Sequence, residues 1–291
     1  MTPIGVVSNP ASGRNRRAGF GVDPAAAAAA GALHRAVARV AELPAVLAGL
    51  GQAFATPPAI MALASGTTNL IAGDVGPRGG RAQAFARLVA RLRCPGLDDV
   101  TVERAPLVVE RGDGTTEIGF FFGAGALAFG THLTRRHIER GRFANTAGTV
   151  LGIAATTLCL LAGGRGSRLS RGVPMTVTRD DLPAVAGPRF LMLATTLERL
   201  VLGLHPFWGR GPGAINVLDI AAPPPSFACA VPALLSARPR AWMAEAYRSA
   251  RAARVTVVLE HEALLDGEWL RLEPGRPLSI RAGAPVRFVR P

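Results

Sequence analysis

Short apolar runs open and close the chain, and helix-spaced stretches lie between them. Ile4–Ser8 is an apolar β-run that stops at Asn9-Pro10-Ala11-Ser12-Gly13, where Pro and Gly end a strand and Asn and Ser favour a turn. The alanine-rich segment Pro24–Ala30 predicts a helix. Leu33–Val40 fits a strand or a helix equally. Leu43, Val46, Leu47, Leu50 and Phe54 share one face of a helix over Leu43–Phe54, which Thr56-Pro57-Pro58 ends. Ile60–Ala64 reads as a strand running into Ser65-Gly66-Thr67-Thr68-Asn69 and a helix start. Two strand-to-polar-loop units within residues 1–98 predict a mostly parallel α/β sheet.

Beyond Pro95-Gly96 the pattern changes. Val100–Glu110 and Thr116–Phe122 read as strands about an Arg111-Gly112-Asp113-Gly114 turn, a hairpin. Helical stretches are expected at Leu127–Glu139 and Asn145–Leu161. Strands are expected at Val173–Thr178, Arg189–Thr195, Ala214–Ile220, Arg254–Glu260, Leu264–Leu272, Leu278–Arg281 and Pro285–Val289. The expected architecture is α/β plus all-β: a mostly parallel α/β domain over 1–98, then an antiparallel β-sandwich with inserted helices over 99–291.

Composition narrows the function. The chain has 291 residues, is 49% hydrophobic and carries a formal net charge of +13. All 33 basic groups are arginines, since there is no lysine. That apolar fraction excludes a disordered polar tail. The charge is spread evenly, with ten arginines and four acids over residues 1–98, and aromatics are only 5%. A specific nucleic-acid binder concentrates its charge and presents stacking rings, so none is expected. Attraction to phosphate and acidic lipid is expected instead. Cys94, Cys159 and Cys229 lie far apart and form no metal or disulfide spacing. The longest uncharged run, Thr149–Ala162, is shorter than the roughly 20 residues of a spanning helix. With no basic-then-apolar leader at the start, a cytoplasmic protein able to associate peripherally with membrane is expected.

Three segments carry candidate chemistry. Asn9–Gly13, with Arg14 beyond it, and Gly66-Thr67-Thr68-Asn69 offer backbone N–H groups, hydroxyls and amides at strand ends, which can cradle phosphates without a lysine. Asp266-Gly267-Glu268 places two carboxylates on a tight turn, suited to holding Mg²⁺ or taking a proton from a hydroxyl. Each alone is ordinary loop chemistry. Phe120-Phe121-Phe122-Gly123-Ala124-Gly125 reads as a core strand, or as the lining of a lipid cleft.

In this order the three segments resemble the bacterial diacylglycerol kinase family of soluble lipid kinases, which is similar to sphingosine kinases and more distantly to NAD kinases. The resemblance spans nearly the whole chain. It implies a nucleotide-binding first domain, a lipid-carrying second domain, and ATP and Mg²⁺ as co-substrate and metal. It places Asn9, Ser12, Gly13, Arg14, Gly66, Thr67, Thr68 and Asn69 at the nucleotide. Glu268, beside Asp266, would be the general base or a Mg²⁺ ligand, and the other metal ligands are left open. It also allows a homodimer, and its lipid substrate would be met at the membrane surface.

One departure stands out. The family's Gly-Gly-Asp-Gly-Thr signature does not occur between Gly13 and Gly66, where Asp23 is the one Asp. Gly112-Asp113-Gly114-Thr115 falls too late and at a hairpin tip, so it is no substitute. The first domain is then short of one βα unit. Losing such a loop removes donors worth ~10²–10³ each in rate. The expectation is a lipid kinase slowed by weak MgATP binding; the alternative is an inactive relative that binds lipid or another anionic partner.

Overall fold

The computed structural model describes residues 4–8, 32–36, 58–64, 69–91, 97–130, 170–200, 203–260, 262–270 and 272–291. The chain divides into two units, Met1–Arg104 with Val286–Pro291, and Ala105–Pro285.

In the first unit, β1 (Ile4–Ser8) pairs in parallel with β2 (Ala32–Ala36), Ile4 opposite Ala32 and Ser8 opposite Ala36. Of the Leu33–Val40 run, which fits a strand or a helix, the described part 33–36 is therefore strand. The strand expected over Ile60–Ala64 reduces to one parallel bridge, Ile60 to Phe288. Its bonds are Ile60 N to Arg287 O at 2.8 Å and Val289 N to Ile60 O at 2.9 Å. Helix α1 (Leu70–Val75) follows Asn69. Helix α2 (Arg81–Arg91) buries Ala84, Phe85 and Leu88, the i, i+1, i+4 face of an amphipathic helix. Strand β3 (Thr101–Arg104) pairs antiparallel with the last strand, β15 (Val286–Val289). Buried Asp74, at the end of α1, takes the Arg104 Nε at 2.9 Å.

Among its described residues the second unit forms one sheet of eleven strands, all paired antiparallel. They are β4 (Leu107–Glu110), β5 (Thr116–Gly119), β6 (Phe121–Gly125), β7 (Val173–Arg179), β8 (Val185–Thr195), β9 (Ile215–Ala221), β10 (Tyr247–Ala252), β11 (Arg254–Leu259), β12 (Ala263–Leu265), β13 (Glu268–Leu270) and β14 (Pro277–Ala282). The order is β13-β12-β6-β8-β7-β11-β14-β4-β5, with β9 also on β8 and β10 beyond β9. The branch lies within β8. Its first part, Val185–Arg189, pairs with β7, Leu191–Thr195 pairs with β6, and β9 pairs with Arg189 and with Leu191–Thr195. A bulge between Arg189 and Leu191 separates the two registers, and bulges bend the strand that carries them.

Alternate residues of these strands point one way. Leu107 and Val109, Met175 and Val177, Met192 and Ala194, Ile215 and Val217, Val255 and Val257, and Leu278 and Ile280 all join one buried cluster. A single cluster fed by strands from the whole sheet means that the sheet curls around its own core. The expected sandwich of two sheets is thus one continuous curled sheet. Each of these side chains except Ala194 contributes ~1.5–3 kcal/mol on burial.

Three expected strands are divided, among them Leu264–Leu272, which turns at Asp266-Gly267 into β12 and β13. Val100–Glu110 breaks at Ala105-Pro106, where proline supplies no N–H, and its halves β3 and β4 belong to different units. Thr116–Phe122 breaks at Phe120 into β5 and β6. A helix, α3 (Phe227–Ser236), and the strand β10 are present where no element was expected. Residues 126–130 are helical. The rest of the helix expected over Leu127–Glu139, and those over Pro24–Ala30, Leu43–Phe54 and Asn145–Leu161, lie outside the described residues. Among the described residues no helix is long and apolar enough to cross a membrane.

Candidate functional site

The Asp266-Gly267-Glu268 segment forms the tip of a hairpin. Leu265 sits opposite Glu268, so Asp266 and Gly267 are a two-residue loop. Both have positive φ, 52° and 90°, the primed turn that Asp-Gly favours because its twist matches that of the strands.

Asp266 anchors this tip. Its Oδ1 accepts the N–H groups of Phe120 and Phe121 at 3.0 and 2.9 Å, and Oδ2 lies 3.0 Å from the Phe120 N. The Asp266 N–H donates back to the Phe121 carbonyl at 2.8 Å. The Phe120 carbonyl accepts the hydroxyl of buried Thr195 at 2.7 Å. The main chain at the β5–β6 break is thus held from two sides. Gly119 completes the fit, since a Cβ there would come 2.6 Å from the Leu265 side chain and 2.8 Å from Asp266 Oδ2. Residue 266 as a whole is exposed, but its carboxylate faces this backbone. Burial of the carboxyl lifts its pKa, and the bonds from Phe120 and Phe121 pull against that rise.

Glu268 is exposed, while Leu270, two residues on, is buried in the core. Residues two apart on a strand, and residues directly opposite each other, share a face. Glu268 therefore stands on the same face as Leu265 and Leu270, a carboxylate at the solvent edge of the core-facing side. That arrangement suits a base that must meet a hydroxyl carried on an apolar molecule.

These residues do not fit a Mg²⁺ site built on Asp266. Its oxygens face the Phe120 and Phe121 N–H donors. Among the described residues no group of three His, Cys, Asp or Glu side chains could hold a metal, and no step is assigned to the ion.

Of the nucleotide candidates, Asn69 is described. It adopts a left-handed conformation (φ 49°) before α1, and its side chain makes no capping bond. Asn9, Ser12, Gly13, Arg14, Gly66, Thr67 and Thr68 lie outside the described residues. Gly112-Asp113-Gly114-Thr115 forms the β4–β5 turn, as its Asp-Gly pattern predicts. Asp113 Oδ1 takes the Thr115 N–H at 2.8 Å and its hydroxyl at 2.5 Å, and these bonds hold the Asp113 carboxyl below its ordinary pKa.

Two features escaped the sequence reading. One is the Phe120–Thr195 support for Asp266, whose partners lie 146 and 75 residues apart. The other is a buried ion pair at the β8 bulge, Arg189 Nε to Asp219 Oδ1 at 3.1 Å. Burial lifts the pKa of Asp219, and Arg189, Arg248 and Arg179 offset the rise in part.

No family model matches this sequence, and no curated protein does. The fold has solved counterparts. It is similar to a Bacillus anthracis str. Sterne chain assigned as a diacylglycerol kinase, with TM-score 0.62, 11% identity, and 99% of this chain and 97% of that one covered. A second chain so assigned from the same organism gives TM-score 0.57 at 12% identity over 99% and 97%. A diacylglycerol kinase of that organism gives 0.56 at 10% over the same shares. At such identities the likeness is one of fold.

Proposed function

We propose that this protein is an ATP-dependent lipid kinase of the diacylglycerol kinase type, slowed by its missing phosphate loop. The observation that carries the reading is the Asp266–Glu268 hairpin tip, fixed to the β5–β6 break, on a fold that aligns end to end with diacylglycerol kinase chains. In this reading the first unit is an α/β nucleotide-binding domain short of one βα unit. Its Asn9–Arg14 and Gly66–Asn69 loops hold ATP, and the curled-sheet unit carries the lipid.

Glu268 takes the proton of the lipid hydroxyl as the oxygen attacks the γ-phosphorus. The new P–O bond forms as the bond to the β-phosphate oxygen breaks, and ADP leaves. Asp266 positions Glu268 and touches no substrate. Any Mg²⁺ arriving with ATP would supply neutralisation of phosphate charge, and no described residue is assigned to hold it. Without the Gly-Gly-Asp-Gly-Thr donors, positioning of the phosphates is weaker, and positioning is most of phosphoryl-transfer catalysis.

The test is ADP release from MgATP over vesicles with and without diacylglycerol. The reading predicts slow, lipid-dependent release. Release that ignores diacylglycerol overturns the lipid assignment, and none in either case overturns the kinase.

A further inference from the structure

Helix α3 reads Phe-Ala-Cys-Ala-Val-Pro-Ala-Leu-Leu-Ser and carries no charge. A helix that is apolar all round is ordinarily buried. This one buries Ala230, Ala233 and Leu234 but leaves Ala228, Cys229, Pro232 and Leu235 exposed, Leu235 by 45%. Positions 228, 229, 232 and 235 follow helical spacing, so they form one apolar stripe facing solvent.

The chain then folds back tightly. Ala237 takes a left-handed conformation (φ 51°), and the Arg238 N–H reaches the Ala233 carbonyl at 3.0 Å. Exposed Arg238, Pro239 and Arg240 lead into a short 3-10 turn, Ala241–Met243. Met243 is fully buried and pins the turn, which leaves Trp242 45% exposed. Trp242 meets Tyr247 edge-on at 5.9 Å, and the Tyr247 hydroxyl donates to the Pro225 carbonyl, just before α3, at 2.6 Å. The tryptophan and the helix are thereby tied to one corner.

Arg238 and Arg240 stand at this corner. Between residues 222 and 259 there are five arginines and one acid, Glu245. Among the described residues, neither Arg238 nor Arg240 lies within ion-pair distance of a carboxylate. An apolar stripe, an exposed indole and arginines beside them match the layered chemistry of a bilayer surface: acyl chains, the headgroup boundary, and phosphates.

We infer that this corner docks the protein on anionic phospholipid, with Trp242 and the outer face of α3 in the headgroup boundary and Arg238 and Arg240 on lipid phosphates. Docking through this surface does not depend on phosphoryl transfer.

The test uses the full chain and sedimentation with vesicles of phosphatidylcholine, with and without phosphatidylglycerol, in the absence of nucleotide. Binding is expected to need phosphatidylglycerol. Arg238→Ala with Arg240→Ala should lower it about 30-fold, at about fivefold per arginine, and Trp242→Ala should lower it further. A second readout places an environment-sensitive fluorophore on Cys229, with Cys94 and Cys159 replaced by Ser. Its emission should shift to the blue on phosphatidylglycerol vesicles. All substituted side chains on this surface are exposed, so the variants should melt with the wild type. Equal binding by variants and wild type, or no shift at Cys229, overturns the proposal. So does a dimer that Trp242→Ala dissociates, because a second copy then covers the stripe. Failure here leaves the role of Glu268 standing, since the kinase assay reads a different residue and a different product.

Discussion

Asp266→Asn is the sharpest perturbation of the hairpin anchor. Asn-Gly is as well suited to the primed turn as Asp-Gly, so the loop is kept and the change falls on the carboxylate. The Oδ1 of the wild-type residue accepts both Phe120 and Phe121 N–H groups at 3.0 and 2.9 Å. An amide oxygen can still take both bonds, but as a neutral acceptor. Hydrogen bonds to charged groups contribute ~1.5–3 kcal/mol and neutral ones ~0.5–1.5, so two bonds lose about 2 kcal/mol together. Asp266→Ala removes both bonds and puts alanine at φ 52°. Taking the lower end for the bonds, because residue 266 is exposed, and ~1 kcal/mol for the left-handed backbone, the loss is about 4 kcal/mol. A unit the size of Ala105–Pro285 loses ~2–4 °C in Tm per kcal/mol. The expected drops are then about 4–8 °C for Asn and about 8–16 °C for Ala by calorimetry. Amide exchange gives the local check: the Phe120 and Phe121 protons should exchange about 30-fold faster in Asp266→Asn. An Asn variant that melts with the wild type and leaves both amides equally protected refutes the anchor.

Gly119→Ala should cost ~1–3 kcal/mol, because its Cβ would press on the Leu265 side chain at 2.6 Å; a thermal melt within about 1 °C of wild type would contradict that packing. Asp219, 2% exposed and with its pKa raised chiefly by burial, makes a pH prediction. The folded state holds its proton more tightly than the unfolded chain. The stability it contributes is full below the unfolded value of ~3.9 and is lost as pH rises through the higher folded value. Urea midpoints should show that fall, and Asp219→Asn should flatten it; a curve of unchanged slope in the variant assigns the pH dependence elsewhere.

Much of the curled sheet is legible along the chain because one face of each strand is buried. Val255, Val257 and Leu259 alternate with half-buried or exposed neighbours, and Asp113-Gly114 and Asp266-Gly267 mark turns by their backbone preference. Pairings between distant residues leave no such trace. Val100–Glu110 looks continuous because β3 is claimed by β15, at the far end of the sequence. Strand β10 leaves little trace because, among the described residues, it pairs with β9 alone and presents Arg248, Ser249 and Arg251 between buried Tyr247 and Ala252. Helix α3 was missed because it has no polar face to set a helical period. At the candidate site, the Asp-Gly-Glu turn was visible as a pattern, whereas its anchor on Phe120 and Phe121 depends on tertiary closure 145 residues away.

The central claim is that Glu268 accepts the proton of a lipid hydroxyl during phosphoryl transfer. It is tested most directly by measuring labelled lipid phosphate formed from γ-labelled MgATP and diacylglycerol in mixed micelles, wild type against Glu268→Gln. Glu268→Gln keeps the size of an exposed side chain, and a melt of both proteins checks that the fold is kept. The account predicts slow product formation by the wild type and a loss of ~10²-fold or more in the variant. No labelled lipid from the wild type, or equal rates from both proteins, would contradict it.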